Sequence, residues 1–134
     1  MIQRVTVPSL FPPPTYSHVS VVEAGTGLAF LAGSVPLDAD GRLVGEGDPV
    51  RQAGQVLVNL EEQLRAVGSD LTQVVSTDVY VVSGEPAVWD VVEASGLSTG
   101  PHSSTLLGVA CLGYPGQLVE ITATAVVPDA AADS

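Results

Sequence analysis

The chain has 134 residues, enough for one domain with a hydrophobic core of its own. It carries 15 acidic residues against four arginines (Arg4, Arg42, Arg51 and Arg65) and no lysine, for a net charge of −11. That balance excludes a nucleic-acid binder, which needs a basic face to displace counterions, and it excludes any lysine-based Schiff base or phosphate loop.

Hydrophobic residues make up 46% and charged residues 14%, so little of the chain reads as disordered. No apolar run approaches the ~20 residues that a membrane-spanning helix needs, and the amino terminus lacks a basic segment followed by an apolar one. The expectation is a soluble, cytoplasmic protein. Few charges on so small a domain also leave apolar surface to cover, which packing against copies of itself would do. His18 and His102 have no Cys or His partner at metal-ligand spacing, so no metal is expected. The single Cys111 excludes an internal disulfide and reads as a buried thiol in an apolar strand.

In chain order, Ser9 to Thr15 is proline-rich and reads as an irregular lead-in. His18 to Glu23 and Leu28 to Ala32 are β-prone runs separated by the turn residues Ala24-Gly25-Thr26-Gly27. Asp38-Ala39-Asp40-Gly41 predicts another turn. Asp48-Pro49 then opens a helix, with aspartate as N-cap and proline at the first helical position. Val50, Ala53, Leu57, Leu60, Leu64 and Val67 recur at helical spacing, and Gly68 ends the helix. Val74 to Val82 reads as a strand and Glu85 to Ser95 as a second amphipathic helix. Gly100 to Val127 reads as a closing hairpin of two apolar strands. The order β-β-(β)-α-β-α-β-β predicts an α+β domain with two helices on one face of a mixed sheet. One domain spans residues 1–134, with its core at about 13–127 and a polar tail at 128–134.

One acidic residue interrupts the last apolar run. A carboxylate there is not buried unpaired, because that is costly; Glu120 either faces water on the outer side of its strand or lines a polar cleft. Trp89 on its helix reads as a core or subunit-contact residue. Gly33 reads as a position of close backbone approach.

Several strings, in this order and spacing, resemble the RidA/YjgF family of reactive-intermediate deaminases. Pro14-Thr15-Tyr16-Ser17 is similar to its lead-in, and Leu31-Ala32-Gly33-Ser34-Val35-Pro36 to its Ser-Gly-Gln-Ile-Pro segment. The helix from Gln52 to Gly68 around Asn59-Leu60, the strand at Val79-Tyr80-Val81, and the strings Ser104 to Val109 and Val119-Glu120-Ile121 complete the likeness. The resemblance implies a chorismate-mutase-like domain that assembles as a homotrimer, with small-molecule clefts between subunits and no cofactor. It implies that Glu120 and the backbone of Thr105 hold a water that attacks an imine carbon. It places Tyr16 in the same cleft, with Gly33, Ser34 and Asp90 among the residues near it.

At one position the chain departs from the family. The arginine that binds the substrate carboxylate in deaminating members falls on Ser103, beside His102. Each charge-assisted bond of such a pair contributes about 1.5–3 kcal/mol, so its loss weakens a carboxylate ligand by roughly two powers of ten. The expected ligand is an imine or enamine without a free carboxylate, with Glu120 as base and Tyr16 or Ser103 orienting it. His102 beside the vacated position titrates nearest neutral pH but reads as an exposed turn residue. The alternatives are recruitment of the scaffold to a cyclisation or condensation, or a binding trimer without turnover.

Overall fold

The computed structural model describes residues 2–128; Met1 and residues 129–134, hence nearly all of the expected polar tail, lie outside the described residues. Strands β1 (Ile2–Val5) and β2 (Val19–Val22) form an antiparallel pair. Strand β3 (Gly27–Ser34) belongs to a second, four-stranded sheet with β4 (Val74–Val81), β5 (Ser103–Gly108) and β6 (Val119–Val127). Helices α1 (Pro49–Arg65), α2 (Glu85–Glu93) and the single turn α3 (Gly96–Thr99) complete the domain. The expected α+β arrangement with two longer helices and a mixed sheet is present.

The start of α1 follows its sequence. Asp48 adopts an extended backbone and its carboxylate accepts from the Arg51 N–H at 3.1 Å, with Pro49 in the first turn. At the other end Gly68 takes φ +73°, which lets the Ser69 N–H return to the Leu64 carbonyl at 2.9 Å. The buried stripe consists of Ala53, Val56, Leu57, Leu60 and Leu64; Val50 and Val67, at its expected ends, are exposed. These residues pack with Val88 and Val92 of α2 against Val79, Val81, Ile121, Ala123 and Ala125 of the sheet.

The expected closing hairpin does not form. The sheet order is β3-β6-β4-β5, so β4 lies between the two strands that the sequence pairs. Strand β5 returns from α2 parallel to β4, with Ser76 opposite Ser103 and Asp78 opposite Thr105. The chain from 109 to 118 then crosses β4, and β6 enters antiparallel to both β4 and β3. A β-α-β crossover buries the apolar face of α2 against the sheet, which a simple hairpin would leave uncovered. Cys111 lies in this crossing segment and is exposed, not buried in a strand.

Two further departures concern the first three strands. The turn at Ala24–Gly27 exists, with Gly25 at φ +84°, but the strands on either side of it belong to different sheets. Strand β1, ahead of the expected core, pairs with β2, and β2 reaches the four-stranded sheet through Ser20. Two register shifts also interrupt the four-stranded sheet, one between Leu31 and Ser34 on β3 and one between Val74 and Ser76 on β4.

Candidate functional site

The helices cover one face of the four-stranded sheet and leave the other open. Alternation along β4, β5 and β6 places Ser76, Asp78, Tyr80, Ser103, Thr105, Glu120, Thr122 and Thr124 on that open face. At the β5 edge a cleft of about 330 Å³ is lined by Tyr16, Ser103, Ser104 and Thr105, together with Ser17, Thr77 and Asp78.

Ser103 stands in a cluster of hydroxyls. Its Oγ lies 2.7 Å from that of Ser20 and 3.3 Å from that of Ser17. Ser17 donates to the Pro101 carbonyl at 2.8 Å, and Ser20 donates at 3.2 Å to the carbonyl of Val75. Val75 occupies the register shift of β4, where the local break in the ladder exposes its carbonyl to a side chain from β2.

His102 is fully buried, contrary to the exposed turn the sequence implies. Thr77 donates to Ser104 Oγ at 2.7 Å, so its oxygen accepts from His102 Nδ1–H at 2.7 Å and the ring's Nε2 is the unprotonated nitrogen. That Nε2 is buried with no hydrogen-bond partner among the described residues. Trp89 stacks on the imidazole, with ring centroids 6.2 Å apart at 12°, and Tyr16 meets Trp89 edge-on at 6.0 Å. Burial, and then the positive charge of Arg4, push the His102 pKa down to about 4. His102 is therefore a neutral packing residue beneath the cleft. Arg4 reaches the same turn from β1, donating to the carbonyls of Pro101 at 2.9 Å and Thr72 at 3.0 Å. Sequence separation hides this contact; Arg4 is 97 residues from Pro101.

Glu120 is half-buried on the open face, and its Oε1 accepts from Gln117 Nε2 at 3.0 Å. Gly33 faces it so closely that a Cβ there would fall on the carboxylate. Within one chain Glu120 and the Ser103 cleft are separate. Glu120 pairs with Tyr80 and Ser103 with Ser76, four residues apart along β4 and on its two opposite neighbours. At ordinary strand dimensions that separation is roughly 16 Å. Tyr16 lies with Ser103 and not with Glu120.

Two of the expected cleft residues face elsewhere. The extra residue in β3 turns Ser34 to the helix side, where its buried hydroxyl donates to the Val56 carbonyl at 2.7 Å. Asp90 is exposed on α2, on the covered side of the sheet, and does not line the cleft. The sequence reading gave no site role to Ser20 and Asp78, which lie in no motif, or to Ser17, which it named only as part of the lead-in string. Among the described residues no group of three or more His, Cys, Asp or Glu is placed to hold a metal ion, and no helix is long and apolar enough to cross a membrane.

A mixed sheet backed by two helices, with a polar cleft on its open side, is the architecture of the YjgF, chorismate-mutase-like class of domain. A family model described as Endoribonuclease L-PSP matches residues 10–127. The chain is 34% identical to Protein DfrA of Myxococcus xanthus over 112 residues, 83% of this chain and 84% of that protein. It is 34% identical to the solved structure of YyfB, a Rid-family protein of unknown function from Yersinia pestis, with TM-score 0.81 over 93% of this chain and 98% of that one. A YjgF-family protein from Neisseria meningitidis is 29% identical, with TM-score 0.62 over 97% and 98% of the two chains. The chain belongs to the Rid/YjgF family.

Proposed function

We propose that this chain is a cytoplasmic, Rid-type enzyme that hydrolyses or tautomerises a small imine or enamine lacking a free carboxylate, in a site shared between copies of a homotrimer. The observation that carries the reading is the state of Glu120. A carboxylate half-buried on an open sheet face, gripped by Gln117 and walled by Gly33, is held in one place with no cationic partner among the described residues. Such a group suits abstraction of a proton from an attacking water, and its charge favours a protonated, electrophilic imine.

The separation of Glu120 from the Ser103 cleft supports a site completed by a neighbour. Strand β5 is an edge strand with Leu106 and Leu107 exposed, and Phe30 on the open face is 80% exposed. Apolar groups along a free edge favour pairing with another copy. In a ring of three such copies, Glu120 of one chain would approach Thr105 and Tyr16 of the next. In that arrangement the Thr105 backbone and Glu120 hold the water, and Tyr16 orients the substrate. No metal or cofactor enters this scheme.

RNA cleavage, the activity in the family's description, finds little support here. The net charge is −11, there is no lysine, and two of the four arginines are occupied by Thr72 and Pro101 carbonyls or by Glu61 and Glu62.

The test is release of ammonia from imines generated in situ, comparing neutral or cationic imines with carboxylate-bearing ones. Turnover of the former is expected, with Glu120→Gln lowering it 100-fold or more while ligand binding persists. Unchanged turnover in that variant overturns Glu120 as the base, and no turnover of any imine leaves the binding trimer as the better reading.

A further inference from the structure

We infer that the Ser103 cleft recognises a cationic head group bearing N–H donors, a primary ammonium or amidinium, at the position where an anion-binding residue would otherwise stand. This inference rests on the reading of the cleft as a ligand site, and it specifies the chemistry of what the site reads.

The proton count of the serine cluster carries it. Three hydroxyls bring three protons, and Ser17 and Ser20 direct theirs at the carbonyls of Pro101 and Val75. The 2.7 Å contact between Ser20 and Ser103 then requires Ser103 to donate to Ser20. With both carbonyl bonds kept, all three protons are spent within the cluster or on the backbone, and the Ser103 oxygen keeps a lone pair free to accept. A lone pair accepts from an ammonium and has nothing to give a carboxylate.

The charges point the same way. Asp78 lies on the same face, one register step along from Ser103, and its carboxylate is exposed to the cleft. At that diagonal the two Cα atoms stand roughly 7–8 Å apart, a span that one ammonium or amidinium group bridges with its side-chain partners. The nearby guanidinium of Arg4 donates to backbone carbonyls behind the turn and does not line the cleft. The field of a chain of charge −11 also draws cations in and repels anions.

The experiment uses the full chain and three unreactive ligands of similar size: propylammonium, propionamide and propionate. Binding is followed by saturable NMR shifts at the amides of Ser76, Asp78, Ser103 and Thr105. Propylammonium is expected to bind at least tenfold more tightly than propionate, with propionamide between them. Asp78→Asn should reduce the ammonium affinity roughly fivefold, as suits a partly solvated ion pair. Ser20→Ala removes the internal acceptor and should narrow the preference, whereas Ser103→Arg should invert it in favour of propionate. Equal or tighter binding of propionate by the unaltered chain overturns the inference, as do ammonium-induced shifts confined to other residues. None of these ligands turns over, so the outcome stands apart from the Glu120 test. Ammonium selectivity without imine turnover removes the proposed reaction and leaves this inference intact.

Discussion

Ser103 and His102 are adjacent in the chain and opposite in environment. Strand β5 begins between them; the hydroxyl points to the open cleft, and the imidazole lies sealed between Thr77 and Trp89. The buried ring has a consequence for stability. In the unfolded chain His102 takes up a proton near its ordinary value of 6.5, whereas in the fold it resists until about 4. Between those values the unfolded state holds more protons, so folding is favoured in full above pH 6.5 and loses ground as pH falls towards 4. The shift corresponds to on the order of 3 kcal/mol. Denaturant unfolding at pH 7 and 4.5 should show a loss of about 2–3 kcal/mol that His102→Gln largely abolishes, and the native imidazole should titrate by NMR near 4. An NMR midpoint close to 6.5 would refute the sealed environment.

At the scale of elements, the segment from 109 to 118 is held by two glutamines. Gln52, fully buried on α1, donates at 3.0 Å to the carbonyls of Gly45 and Gly116 and accepts from the Leu118 N–H at 2.7 Å. Gln117 accepts from the Tyr114 N–H at 3.1 Å and donates to Val119 and Glu120. The first clamp fixes the crossing segment to the helix layer, and the second passes that position to the carboxylate. Gln52→Leu keeps the volume but strands three backbone groups, one buried and two partly buried, at about 1 kcal/mol or more each. We expect a loss of at least about 3 kcal/mol in urea unfolding, with a fall in turnover at Glu120. The conservative Gln52→Glu variant, which keeps one acceptor, should recover only part of the stability. A loss below about 1 kcal/mol would show that the segment is held by other means.

For the whole molecule, the decisive feature is a sheet with one face covered by helices and the other uncovered. Its polar residues run from the two middle strands to the start of β5, and Phe30 and Leu107 stand exposed on the two edge strands. A face of this kind suits burial against further copies, with the polar residues lining clefts. Sedimentation should therefore show the unaltered chain as a trimer, and Phe30→Asp should shift it towards single chains while the far-ultraviolet dichroism persists. Imine turnover should fall in step with the loss of trimer, because Glu120 and the Ser103 cleft lie too far apart within one chain. A monomeric unaltered chain removes the shared site.

The sequence by itself determined the elements whose signals are local: the Asp48-Pro49 start of α1, the Gly68 stop, the stripe from Ala53 to Leu64, and the turns at Gly25 and Gly41. It also determined what charge decides, since no folding can build a basic face from four arginines and no lysine. Only the tertiary structure decided how β5 and β6 pair, because an apolar strand is equally satisfied beside either neighbour until α2 must be covered. A single extra residue in β3 reversed Ser34 from the open face to the helix face, as any one-residue change of register does in a structure of period two. Burial placed His102 under Trp89, and chain folding brought Ser17, Ser20 and Arg4 to the residues around Ser103 from more than 80 positions away. Hydrogen bonds between distant residues leave no trace in periodicity or composition, and they are what sets the character of this cleft.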